Sequence, residues 1–304
     1  MEVVTNYSYE YELEHEYEYR VFGNDATGWL NIVLCISIII VVLFDLFLMV
    51  AIFLDRKSHG KRRSLSLLNY LLNYALDAVF AYFQSLHIFI VQDLPKSHCL
   101  FIVILSYAFN DGVKYFLIPL CCEFIVKYFS PSRYENQIFL IIQSVLIGTL
   151  WVFISIKALV MFLAFSYHRS NSCYIHLDSS AIQAQFIMGI LLMIAMLVFV
   201  GLLIYIAIKS KEEEMMKSQV KTLIIITAVI ITLFFLNYVI GAGFVGLTYT
   251  TLAIIYRVTN IAIFLLLPFL WLFDTTIRQS IRNLCSRNYA KSKDHRPHEL
   301  TEIN

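Results

Sequence analysis

Six ionisable side chains lie inside or at the ends of long hydrophobic runs: Asp45, Asp77, Asp111, Lys114, Glu123 and Lys157. Charge in an apolar medium is costly, so such residues mark a transport path, a cation site, a signalling contact or a structural pair. Asp111 and Lys114 stand three apart and are neighbours on one helical face, where they would neutralise each other and let the helix insert. A ligand contact by either is the alternative. Asp77 falls midway along its run, within reach of Lys114 if the two helices pack, and fits a sodium ligand equally well. Asn69, Asn73, Asn110 and Asn237 add hydrogen bonding of the kind that joins helices in lipid. Enzyme chemistry has no such foothold. The histidines form no HExxH spacing, and neither a GxSxG elbow nor a P-loop occurs. The expectation is a binding protein, without catalytic residues, cofactor or metal.

The elements that must position these residues are legible from hydropathy. With 59% hydrophobic and 15% charged residues and a mean hydropathy of +0.71 over 304 residues, the chain is too apolar for a soluble domain of that length. Runs of spanning length occur near 29–54, 65–92, 99–129, 137–166, 180–208, 220–247 and 252–273, which predicts an all-α membrane protein with seven transmembrane helices. The stretch from Cys99 to Glu123 reads as one helix of about 36 Å, at 1.5 Å per residue. Thr275 to Tyr289 carries Ile277, Ile281 and Leu284 at helical spacing between Arg278, Arg282 and Arg287. That pattern predicts a short amphipathic helix on a lipid surface over 274–289, followed by a polar tail, 290–304. Cys285, near its end, is a candidate palmitoylation site, with an unmodified thiol the equal alternative.

Charge sets the expected orientation. Arg56, Lys57, Lys61, Arg62 and Arg63, then Lys127 and Arg133, then Lys209, Lys211, Lys217 and Lys221 fall in loops on the side of the basic C-terminal segment, against only Arg20, Lys96 and Arg169 on the other. Lysine and arginine collect in the cytoplasm, so the N-terminus is expected outside and the C-terminus inside, in the plasma membrane. Cys99 and Cys173 then share the outer side, where one disulfide can form. Residues 1–28 lack the basic cap and apolar core of a signal peptide and interleave tyrosine with glutamate, as a solvated acidic tail. Clustered negative charge of this kind also suits a basic protein ligand, and Asn6 opens a glycosylation sequon. The net charge of +1 gives no sign of a nucleic-acid partner.

Seven spans, a cysteine opening the third, a second before the fifth and an amphipathic final helix together resemble rhodopsin-like G-protein-coupled receptors. In that family an acid begins the Asp-Arg-Tyr motif 24 positions after the cysteine, and a proline often follows eight further on. Glu123 and Pro131 stand at those places. Trp151 matches the tryptophan of the fourth span and Asp77 the aspartate of the second. Leu267-Pro268-Phe269-Leu270-Trp271 stands where Asn-Pro-x-x-Tyr is usual, and Phe124 replaces the arginine. The segment Glu123-Phe124-Ile125-Val126-Lys127-Tyr128-Phe129-Ser130 is similar to one in orphan receptors of Epstein-Barr-type gammaherpesviruses. The resemblance implies ligand-independent signalling through an inhibitory heterotrimeric G protein of the host and lowered display of class I histocompatibility molecules. Glu123, Phe124, Lys127, Arg133, Lys217, Lys221 and Arg278 would face the G protein. The tail also looks like those of chemokine receptors, but the second extracellular cysteine pair is absent. A chemokine scavenger and a transporter or channel, using Asp77, Asp111, Lys114 and Lys157 as a polar path, are the rival expectations.

Overall fold

The computed structural model describes residues 25–55, 61–90, 96–167, 179–209, 214–241 and 249–294. Among these, helices run α1 Asp25–Leu54, α2 Lys61–Ile90, α3 Lys96–Tyr115, α4 Leu117–Phe129, α5 Pro131–Glu135, α6 Gln137–Tyr167, α7 Ser179–Lys209, α8 Glu214–Gly241, α9 Tyr249–Leu270 and α10 Thr275–Asp294. A 3-10 turn, Trp271–Phe273, links the last two. No strand occurs among the described residues.

Among the described residues five segments are long and apolar enough to cross a membrane: Ile32–Leu54, Leu100–Phe129, Gln137–Leu163, Gly189–Lys209 and Met216–Leu233. The run expected at 65–92 is helical as far as Ile90 and that at 252–273 is helical throughout, but neither is among those five. In α2 the reason is composition, since Asn69, Asn73 and Asp77 interrupt its apolar residues. Among the described residues of α9 and the turn after it, Phe264–Phe273 forms an apolar helix. Outward faces suit lipid better than water. Ile138, Ile141, Ile142, Val145, Val152 and Ile156 of α6 are all exposed, as are Ile187, Leu191, Ile194 and Val198 of α7.

Inward faces follow the helical period. In α1 the buried stripe is Leu34, Ile38, Val41, Asp45, Leu48 and Ile52, spaced three and four apart. It packs on α2, where Leu67, Tyr70, Leu71, Tyr74 and Ala78 are buried, and on α9 and α10. The α3 helix lies between α2 and α6, and α4 reaches α7. Gly112 lets α3 approach α2. A Cβ there would lie 2.3 Å from Asn73 Oδ1 and 2.8 Å from Ile154 Cδ1.

The stretch expected as one helix from Cys99 to Glu123 is two, broken at Phe116. Pro119 is the cause. It has no N–H to offer the Tyr115 carbonyl four residues back, and its ring crowds that carbonyl. The helical path continues across the break, with Phe116 in the right-handed helical region and its N–H donating to the Gly112 carbonyl at 2.9 Å. The C-terminal helix runs to Asp294, past the expected limit of 289.

Candidate functional site

Two groups of polar residues interrupt the apolar packing, one in mid-helix and one where α2, α4, α8 and α10 meet.

The first group centres on Asp111. Its Oδ1 accepts from Lys114 Nζ at 2.8 Å, and its Oδ2 pairs with Lys157 Nζ of α6. A carboxylate between two ammonium groups carries one charge too few. Asp77 of α2, 3% exposed, is hydrogen-bonded by Asn110 beside the group. Flanking amides fasten the same helices. Asn73 Nδ2 donates to the Phe109 carbonyl at 3.0 Å, and Trp151 Nε1 donates to Asn69 Oδ1 at 2.9 Å. Lys114 also borders a small cavity whose other walls, Gly189, Leu192, Met193, Met196, Ile230 and Ile231, have no polar side chain. Asp45 stands apart from the group, fully buried in α1, with no hydrogen bond to either carboxylate oxygen.

The second group is denser. Glu123 and Phe124 near the end of α4 are each 2% exposed. Glu123 Oε1 accepts from the Tyr134 hydroxyl at 3.0 Å, and the one-turn helix α5, started by Pro131, carries that tyrosine back toward α4. Arg63, in the first turn of α2, extends over the Phe124 ring, its Cζ 4.7 Å from the centroid. There it acts on the charge of Glu123 and pairs through Nη2 with Asp274 Oδ2. Both partners are buried, at 5% and 0% side-chain exposure.

Asp274 also starts α10. Its backbone is extended, with φ −71° and ψ 117°, and its Oδ1 accepts from Thr276 N–H at 2.8 Å, the geometry of an N-cap. The remaining ties converge on that helix. Gln219 of α8 bonds Thr276 Oγ1, and Ser218 Oγ donates to the Phe273 carbonyl at 3.0 Å. Asp55, just past α1, accepts from Ser280 Oγ at 2.7 Å and Asn283 Nδ2 at 3.3 Å. Beneath these bonds Ile277 is fully buried. One acidic residue at each of three positions, Asp55, Glu123 and Asp274, is thus tied to α10, α5 and α2.

The other expected residues lie around this group or elsewhere. Arg133, Lys221 and Arg278 are exposed, Lys217 is half-buried, and half-buried Lys127 places its Nζ 6.0 Å from the Tyr134 ring centroid. Cys285 is exposed on α10. Asn6, Cys173, the acidic tail and the side chain of Cys99 lie outside the described residues. Arg63, Asp55 and Asp274 are functional candidates that motif reading misses. Asp274-Thr275-Thr276 between an apolar run and an amphipathic one is a cap signal, but nothing local ties it to Arg63, 211 residues away. Among the described residues no cluster of histidine, cysteine and carboxylate side chains could hold a metal ion.

The fold and its apolar exterior define a helical membrane protein. No protein-family model and no curated protein matches the chain.

Proposed function

We propose that the chain is a seven-helix receptor of the rhodopsin-like class, coupling to a heterotrimeric G protein at the end that carries Glu123. Counting α3 and α4 as one bent span, seven long helices precede α10, an order that supports this reading. The observation that carries it is the join at Arg63, Phe124 and Asp274. There the ends of the second, third, sixth and seventh long helices are fastened by polar contacts that can be exchanged, whereas the other polar group, around Asp111, lies in mid-helix. A signal that moves one helix end is felt by the others through that join.

In this reading the join lies in the cytoplasm, as the excess of lysine and arginine on its side supports, and the protein stands in the plasma membrane with its N-terminus outside. Arg133, Lys221 and Arg278 border the G-protein surface, with Lys127 and Lys217 behind them. Phe124 cannot form the ion pair an arginine would make at its position, which favours signalling without ligand. The virus-type subtype, with inhibitory G proteins as partners and lowered display of class I histocompatibility molecules, extends the resemblance around Glu123 and Phe124. Lipid partners fit the exposed apolar faces of α6 and α7.

Expression in cells gives the first test. Forskolin-raised cyclic AMP falls in proportion to the amount of receptor, and pertussis toxin restores it. Cyclic AMP that never departs from control, with second-messenger assays for other G-protein classes equally silent, overturns the reading.

A further inference from the structure

We infer that Arg63 is an autoinhibitory latch that holds α10 against the helix ends and can exchange its acidic partner from Asp274 to Glu123. The inference rests on the receptor reading for its consequence, but not for its geometry.

Three observations carry it. First, Arg63 bonds buried Asp274 and lies over the ring of Phe124, the residue next to buried Glu123. Second, the contact is unfinished. Arg63 Nε and Nη1 have no hydrogen-bond partner, and neither does Glu123 Oε2, although all three atoms are buried. Buried donors and acceptors left unmade in one neighbourhood cost free energy that a rearrangement can recover. Third, the guanidinium has a pivot, the face of Phe124, which neighbours Glu123 in α4. A planar guanidinium can turn on an aromatic face while staying stacked, which an ammonium cannot do as well.

The two partners belong to different elements, so the exchange has a mechanical result. Bonded to Asp274, Arg63 fixes the start of α10 to the start of α2. Bonded to Glu123, it would tie α2 to α4 and leave α10 held by Asp55, Ser218 and Gln219 and by the burial of Ile277. Lys127 is the other basic group acting on Glu123, Tyr134 bonds Oε1, and Gln143 is a further hydrogen-bonding neighbour of that carboxylate, so Arg63 would share Oε2 with Gln143. The docked state closes the end of the molecule that the receptor reading assigns to the G protein. Release of α10 opens it.

Hydrogen exchange of the full chain in lipid nanodiscs, with no G protein present, reads α10 directly. Asp274→Asn is the informative variant, because asparagine caps a helix as well as aspartate does but cannot pair with Arg63. Amides of residues 276–284 exchange about tenfold or more faster in Asp274→Asn and in Arg63→Gln. The double variant exchanges no faster than either single one, and Glu123→Gln, which removes the alternative partner, slows exchange. Unchanged protection in Asp274→Asn, or effects of Arg63→Gln and Asp274→Asn that multiply, overturns the latch. Faster exchange in Glu123→Gln overturns the partner exchange. Should Arg63→Gln fail to fold, Asp274→Asn and Glu123→Gln decide the matter. Because no G protein enters the measurement, a failure of coupling and a failure of the latch are read separately.

Discussion

Arg63 and Phe124 meet face to ring, with the guanidinium carbon 4.7 Å from the ring centroid. The aromatic residue thereby positions a cation that its own place in the sequence does not supply. Arg63 comes from α2, its acid Asp274 from the start of α10, and Phe124 from α4, so one contact gathers three elements. A resting state held in this way needs no arginine beside Glu123.

Replacing Phe124 by leucine keeps the apolar volume and removes the ring. A desolvated cation on an aromatic face contributes about 2 kcal/mol. Phe124→Leu should lower the unfolding temperature in detergent by a few degrees and raise ligand-independent nucleotide exchange. Phe124→Tyr, which retains the ring, should change both less.

The Asp111 group should respond asymmetrically to neutralisation. Lys157→Met leaves the Lys114–Asp111 pair intact, whereas Asp111→Asn leaves two ammonium groups without their shared acid. Removing one partner of a fully buried pair costs about 3–5 kcal/mol, and this part-buried group should lose less. Thermal unfolding monitored by a thiol-reactive dye should therefore place Asp111→Asn well below Lys157→Met. Replacing Asp111, Lys114 and Lys157 together by apolar residues should recover part of the loss. Equal effects of the two single substitutions would mean that Asp111 does not bridge the lysines.

Gly112→Ala should separate α2 from α3. The added methyl carbon would meet the Asn73 amide oxygen at 2.3 Å, and overpacking of this kind costs about 1–3 kcal/mol. Gly148→Ala and Gly201→Ala are the matched controls, since nothing lies within 4 Å of a Cβ at either position. Those two should match or slightly exceed the parent in thermal stability, because alanine favours a helix over glycine by about 1 kcal/mol. Gly112→Ala should fall below it.

Local spacing explains which parts of this architecture are legible in the sequence. Apolar run length gives the helices, and three residues of helical rise fix the contact of Lys114 with Asp111. The Pro119 bend is visible in principle, but a run that stays apolar on both sides of the proline reads as continuous. The Lys157–Asp111 and Arg63–Asp274 pairs depend on how helices pack, across 46 and 211 residues, so sequence spacing carries no trace of them. Arg63 in particular reads as one of several basic loop residues that set orientation. Only the fold distinguishes it from Arg62, its neighbour in the chain.

Pro119→Ala should restore the backbone bond to the Tyr115 carbonyl and straighten α3 into α4. That change would carry Glu123 and Phe124 away from Arg63. Its expected readout is loss of protection in the first turn of α10, comparable to that of Asp274→Asn, with α3 amides unchanged or slower. A variant that protects α10 as well as the parent would show that the bend does not set the position of Phe124.

The central claim, that this end of the molecule acts on a G protein, is tested most directly with purified protein. The full chain in nanodiscs is mixed with inhibitory heterotrimer, and binding of a non-hydrolysable guanine nucleotide is followed without ligand. The account predicts exchange above that of empty nanodiscs, raised further by Asp274→Asn and reduced by reversing the charges of Arg133 and Lys221. Exchange indistinguishable from empty nanodiscs for the parent and for Asp274→Asn, across heterotrimers of every class, would contradict it.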